Sequence, residues 1–186
     1  VKRENPDAVV IAAGSVPLPP PISGIENIQL TYPEDVLMER VTVGDRVLII
    51  DEDNHHKGPA TAEFLVERGK QVEVISSLFS IGEDIDISTK PLIYQRLFSK
   101  GVILSSNTAA KEVLEDRVLV SNVWSGEQRV IEGVDTIIYA GLRKASDELY
   151  KALKGEVSEL YLVGDAMAPR KTHDAILEGT RVARKI

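Results

Sequence analysis

Apolar runs and polar breaks alternate along this chain at the spacing of an α/β protein. The clearest stretch is residues 46–75. Val47-Leu48-Ile49-Ile50 is a short apolar run, the pattern of a strand buried on both faces. Gly58-Pro59 then opens a helical pattern whose apolar side is Ala62, Phe64, Leu65 and Val66, and Gly69 stops it. Gln71–Ile75 reads as the next strand. Strand, turn, helix, glycine and strand make a βαβ unit with a right-handed crossover.

The same reading extends in both directions. Residues 7–14 form an apolar strand that ends in small residues and Gly14, where a ligand or a second backbone can approach closely. Prolines at 17, 19, 20 and 21 impose an extended path, read as a linker leaving a domain. Residues 32–40 carry proline and acids in the first turn of a short helix. Residues 76–87 are a loop, and a helix capped by Ser88-Thr89-Lys90-Pro91 runs to Lys100 with Leu92, Ile93, Leu97 and Phe98 as its apolar stripe. Val102-Ile103-Leu104 is a third parallel strand. Short apolar pieces over residues 108–131, broken by Glu115-Asp116 and Ser125-Gly126-Glu127, predict an antiparallel meander. Trp124 and Tyr161 are expected to pack in sheets. Residues 135–141 repeat the order of residues 7–14: aspartate, apolar run, alanine, glycine. Two copies of one pattern suggest two related domains. A short helix at 146–153, a last strand at 160–165 ending in a carboxylate, and a closing helix at 172–186 complete the chain.

In open α/β sheets a βαβ unit meets nucleotides at its first turn, where free backbone N–H groups and the helix dipole face a pyrophosphate. A dinucleotide fingerprint, G-x-G-x-x-G, should follow the strand. This chain instead has Asp51-Glu52-Asp53-Asn54-His55-His56-Lys57-Gly58, in which Gly58 alone fits, as the last glycine. Each carboxylate would repel a close pyrophosphate by on the order of 1 kcal/mol even in a high effective dielectric. Ser76 and Ser77 end the second strand, where an acid would point to NAD and an arginine to NADP. Asp51, Asp53, His55 and His56 have metal-ligand chemistry, but adjacent histidines point apart, so the turn reads as a solvated acidic loop and no metal site is expected.

Bulk properties narrow the class. The 186 residues are 43% hydrophobic and carry a net charge of −7, which argues against a nucleic-acid surface. No apolar stretch approaches the roughly 18 residues of a membrane span. There is no cysteine, so disulfides, iron–sulfur ligation and thiol catalysis lie outside this chain. The first residue is Val1 and no signal peptide is visible, which reads as a fragment or processed product of a cytoplasmic protein.

DAVVIAAG, the proline linker, GPATAEFLVERGKQVEV, DTIIYAG and LYLVGDAMAPRKTHDAILEGTRVA, in that order, resemble the flavoproteins with two dinucleotide-binding domains. In detail the chain is similar to the C-terminal region of the trimethylamine dehydrogenase and 2,4-dienoyl-CoA reductase group of iron–sulfur flavoenzymes (NADH:flavin oxidoreductases). The turn DEDNHHKGP looks like the trimethylamine dehydrogenase branch, demethylase-like relatives included. The resemblance implies a Rossmann-like FAD/NAD(P)-binding fold: a parallel sheet with helices on both faces, plus the antiparallel meander. It implies a partial FAD/ADP-binding domain at 1–40 and 136–186, with an NAD(P)-binding-like domain at 41–135 inserted into it. FMN and a 4Fe–4S cluster would belong to an N-terminal TIM-barrel region of the parent protein, which is then a partner of this module. The cofactor here would be FAD or ADP, with NAD(P)H in the inserted domain of some members.

Carried over residue by residue, the cofactor-binding positions are Gly14, Gly58, Gly164, Asp165 and Arg170; none is catalytic. A carboxylate at a strand's C-terminal end, Asp165, can accept from sugar hydroxyls, and Arg170 can meet a phosphate. The plain alternatives are a turn cap for Asp165, a solvated cation for Arg170 and an exposed His173. The expected function is a nucleotide-binding module of a flavin-dependent oxidoreductase, not catalytic alone. The alternative is a structural, interdomain module with a degenerate nucleotide site, and a free-standing NAD(P)-dependent enzyme is a third reading. Apolar strand surface at residues 9–12 and 160–163 predicts self-association into a homo-oligomer.

Overall fold

The computed structural model describes residues 3, 4 and 6–186. It divides into two compact units: Pro19–Leu142, and the chain's two ends, up to Leu18 and Arg143–Ile186. Strands β1 (Ala8–Ile11) and β2 (Ser15–Pro17) come first. The larger unit then contains β3 (Gln29–Thr31), α1 (Pro33–Leu37), β4 (Arg46–Asp51), α2 (Lys57–Val66), β5 (Gln71–Ile75), α3 (Lys90–Ser99) and β6 (Ile103–Ser105). It continues with β7 (Thr108–Leu114), β8 (Arg117–Asn122), β9 (Gln128–Ile131) and β10 (Thr136–Ala140). Strand β11 (Arg143–Ala145), α4 (Glu148–Leu153), β12 (Glu159–Leu162) and α5 (Thr172–Ala183) complete the smaller unit. Among the described residues no helix is long and apolar enough to cross a membrane.

In the larger unit five parallel strands lie in the order β3-β10-β4-β5-β6. The period of two along each strand sends alternate residues to opposite faces. Val47, Ile49, Val72, Val74 and Ile138 pack with Val36 of α1, Ala62 and Leu65 of α2, and Ile93 and Leu97 of α3. Leu48, Ile50, Ile75, Ile137 and Tyr139 pack with Val113, Val118, Val120 and Ile131 of the antiparallel meander β7-β8-β9. Residues 47–50 are thus buried from both sides, as their unbroken apolar run requires. The α/β class with a parallel sheet and a meander stands, with one difference. Helices cover one face of this sheet and the meander covers the other, because the meander's inward valines supply the apolar layer that a helix would otherwise bring.

The division of the chain falls after Leu18 and before Arg143, outside the positions 40/41 and 135/136 expected from sequence. Strand β10 is the reason. It lies between β3 and β4, in register from Thr136↔Val47 to Ala140↔Asp51, with Ile137 and Ile138 fully buried. The Asp135 carboxylate ties its entry to β4 by accepting from the backbone N–H groups of Asp45 and Arg46, at 2.9 and 2.8 Å.

In the smaller unit β1 and β12 pair in parallel, from Ala8↔Glu159 to Ile11↔Leu162. Strands β2 and β11 form an antiparallel ribbon, so the start of the proline-rich linker is paired backbone. The two copies of the aspartate–apolar–alanine–glycine pattern supply one parallel strand to each unit, β1 and β10. Helix α5 has an apolar stripe, yet none of its residues is buried.

Candidate functional site

The smaller unit gathers polar groups where β1 and β12 end. Gly14 follows β1 with φ +76°, a conformation suited to glycine, and the space where a Cβ would stand is open. Ser15 comes next. Its Oγ donates to Asp165 Oδ2 at 3.1 Å and accepts from Arg143 Nε at 2.8 Å. The Arg143 guanidinium also donates to the Ser15 carbonyl at 2.8 Å. After β12, Gly164 takes φ +63°. Asp165 then accepts on Oδ1 from the Arg170 N–H at 3.2 Å. Glu178, on α5, receives the Gly164 N–H at 2.7 Å and pairs with the Arg170 guanidinium, holding that cation firmly protonated. Four of the sequence-derived site residues, Gly14, Gly164, Asp165 and Arg170, are therefore placed at one pair of strand ends. The fifth, Gly58, lies in the larger unit.

There the turn between β4 and α2 is not the solvated acidic loop expected from its charges. Asp51 is fully buried. Its Oδ2 accepts from the Gly82 N–H at 3.0 Å, while Oδ1 has no hydrogen-bond partner. Burial pushes its pKa up to about 7; the Gly82 N–H opposes this and the nearby Asp53 and Glu52 charges add to it. Gly58 sits against this carboxyl: an ideal Cβ there would lie 2.7 Å from Asp51 Cγ. The Glu52 carboxylate accepts from the Ser77 N–H at 3.2 Å and from Ser77 Oγ at 2.7 Å. Asp53 pairs with Lys57 at 2.8 Å, and the Asn54 carbonyl accepts from the Asp84 N–H at 2.9 Å. Asn54 reaches φ +70°, which its short polar side chain tolerates.

Sequence reasoning missed Ser15, Arg143 and Glu178. Ser15 was hidden in the proline stretch, and the other two reach the strand ends only through tertiary contacts. Trp124 departs from its expected packing in a sheet. It lies in the turn between β8 and β9, is 70% exposed, donates from Nε1 to Asn107 Oδ1 at 2.9 Å and stands beside Phe79. His173, at the start of α5, is exposed as expected.

Comparison with known proteins agrees with this architecture. Residues 30–143 match the family described as OYE-like second alpha/beta domain. A metal reductase of Desulforamulus reducens is 31% identical over 95% of this chain and 30% of its own length. Dimethylamine dehydrogenase of Hyphomicrobium sp. (strain x) is 30% identical over 83% of this chain and 24% of its own. The chain thus spans less than a third of the length of these relatives. A solved 2-naphthoyl-CoA reductase superposes with a TM-score of 0.88 at 32% identity, over all of this chain and 28% of that one. Histamine dehydrogenase from Rhizobium sp. 4-9 shares the fold, with a TM-score of 0.87 at 22% identity over 97% of this chain and 30% of that one. The chain belongs to the OYE-like second alpha/beta domain family and, through it, to the trimethylamine dehydrogenase/2,4-dienoyl-CoA reductase group of oxidoreductases.

Proposed function

We propose that this chain is a nucleotide-binding module of a flavin-dependent oxidoreductase, and that its smaller unit holds an ADP-containing cofactor, FAD or ADP. The observation that carries this reading is the meeting of β1 and β12 as adjacent parallel strands whose ends bring Ser15 and Asp165 within 3.1 Å. Ligands of open α/β sheets lie beyond the carboxyl ends of the strands. The Asp165 carboxylate keeps lone pairs free beyond its two internal bonds, so it suits a hydroxyl-bearing ribityl or ribose group. The glycine conformation and open space at Gly14 let such a group come close. Arg170 and the Gly164 N–H, the donors a phosphate would seek, are already engaged by Glu178, so the fit is to the sugar portion.

When bound, a flavin would supply electron transfer. The chain's own residues hold, orient and shield it, and FMN and iron–sulfur chemistry would lie in a TIM-barrel region of the parent protein. Calorimetric titration of that parent with FAD and with ADP tests the reading. Saturable binding of either supports it, and binding of neither defeats it. A second reading, an interdomain structural role for the larger unit, is favoured by the burial of Asp51 at the place a phosphate would use.

A further inference from the structure

A dinucleotide unit recognises its ligand at two points. The pyrophosphate lies at the head of the helix after the first strand, and the ribose hydroxyls meet an acid at the end of the second strand. In the larger unit these places are the head of α2, beside Gly58, and the residues just after β5, Ser76 and Ser77. Both are occupied by consecutive side chains of one turn. The Asp51 carboxyl lies against Gly58 with no solvent exposure and receives the Gly82 N–H. Glu52 takes both donors of Ser77.

The segment that meets Asp51 is part of the core, not a lid. Ile81 and Ile85 are 1% and 4% exposed and pack in the cluster that contains Ala62 and Leu65 of α2. Gly82 between them is hemmed in: a Cβ there would lie 2.4 Å from Ile85 Cδ1 and 3.2 Å from the His55 carbonyl oxygen. The Asp84 N–H closes the far side onto the Asn54 carbonyl, and the Asn107 N–H holds the Leu78 carbonyl at 2.8 Å. Opening this crevice would strip two isoleucines from the core and leave the Gly82 and Ser77 donors unpaired.

We infer that the larger unit is a dinucleotide fold liganded from within: Asp51 fills the pyrophosphate position and Glu52 the ribose position, and a nicotinamide nucleotide is excluded. Gly58, the remnant of the fingerprint, keeps the last glycine's part in helix–strand packing, letting the head of α2 lie directly against Asp51 at the end of β4. The inference does not rest on what the smaller unit binds.

The test uses the 186-residue chain labelled with ¹⁵N, with ADP present throughout to fill any site in the smaller unit. NADH and NADPH are then added while the amide signals of Gly58, Ser77 and Gly82 are followed. These signals are expected to stay in place to millimolar nucleotide. Saturable shifts of all three at sub-millimolar NADH or NADPH overturn the inference. Hydrogen exchange supplies the second arm. Asp51→Ala should speed exchange of the Gly82 amide, and Glu52→Ala that of the Ser77 amide, each by at least tenfold over wild type. Unchanged exchange at both amides shows that the carboxylates are not ligands and overturns it as well. Failure of ADP itself to bind would count against the nucleotide role of the smaller unit and leave this inference intact.

Discussion

Ser15 and Asp165 stand 150 positions apart in the chain and meet at 3.1 Å, hydroxyl to carboxylate, where two neighbouring parallel strands end. The contact fixes the Asp165 carboxylate from one side, while the Arg170 N–H fixes it from the other. If that carboxylate receives the sugar hydroxyls of FAD, Asp165→Asn removes a charged acceptor but keeps the side chain's size. Hydrogen bonds to charged groups contribute about 1.5–3 kcal/mol, so FAD affinity is expected to fall by roughly tenfold or more; an equal fall for ADP identifies the ribose as the group held, and a smaller one the ribityl chain, which ADP lacks. The urea midpoint should fall modestly, because the single amide oxygen can accept from Ser15 or from the Arg170 N–H but not from both. Equal FAD affinity in the variant, measured by calorimetry, would reduce Asp165 to a turn cap.

Gly58→Ala sets two effects against each other. Alanine is the better helix former by about 1 kcal/mol. Its methyl, however, would stand 2.7 Å from Asp51 Cγ in a site with no room to yield, and overpacking costs about 1–3 kcal/mol. The clash is expected to win, so the variant should unfold at lower urea than wild type. Because the two residues touch, adding Asp51→Ala should cost less in the Gly58→Ala background than in wild type. Strict additivity in the double-mutant cycle would show that the methyl does not meet Asp51.

Asp51 also gives the chain an unusual pH dependence. Its pKa is about 7 in the folded protein against an unfolded value of 3.8. Between these two values the folded chain holds a proton that the unfolded chain has released. Stability from this group is therefore complete below about pH 4 and declines as pH rises toward 7. Roughly three pH units at about 1.36 kcal/mol each set a ceiling of about 4 kcal/mol. Glu63, whose carboxyl is held below its usual range first by the hydrogen bond from Arg96, contributes in the opposite sense: its part is present above the unfolded pKa and lost on acidification. The diagnostic quantity is thus the difference between wild type and Asp51→Asn. Urea titrations from pH 4 to 8 should show the variant gaining on wild type as pH rises, and parallel curves would place Asp51 in an ordinary solvated setting.

What the sequence revealed, and what it hid, follows from the range of the forces involved. The run Val47–Ile50 declared a strand covered on both sides, and Gly58, Gly69 and Gly101 marked helix boundaries, because these are local effects of burial and backbone freedom. The side on which β10 would pair was not local. Residues 135–141 read as a strand with equal clarity in either domain, and only the packing of Ile137 and Ile138 between two neighbours assigned it. The same holds for charge. Asp51, Glu52 and Asp53 look alike in the sequence, yet one is sealed in the core, one holds Ser77 and one pairs with Lys57. Glu178 could not be linked to Gly164 and Arg170 without the turn that returns α5 to the end of β12.

Helix α5 leads to the last prediction. Its apolar residues follow a helical stripe, but Ile176 and Leu177 are 64% and 45% exposed and no residue of the helix is buried. Val10 of β1 is 44% exposed as well. Fully burying side chains of this size is worth about 1.5–3 kcal/mol each, so the isolated chain should associate with itself through these residues. Sedimentation velocity is expected to show a weight-average mass that rises with concentration. Replacing Ile176 and Leu177 by glutamate should lower that mass toward the monomer without changing the far-ultraviolet circular dichroism, since neither residue belongs to the buried core. A wild-type chain that stays monomeric at high concentration would show that this stripe is tolerated in water.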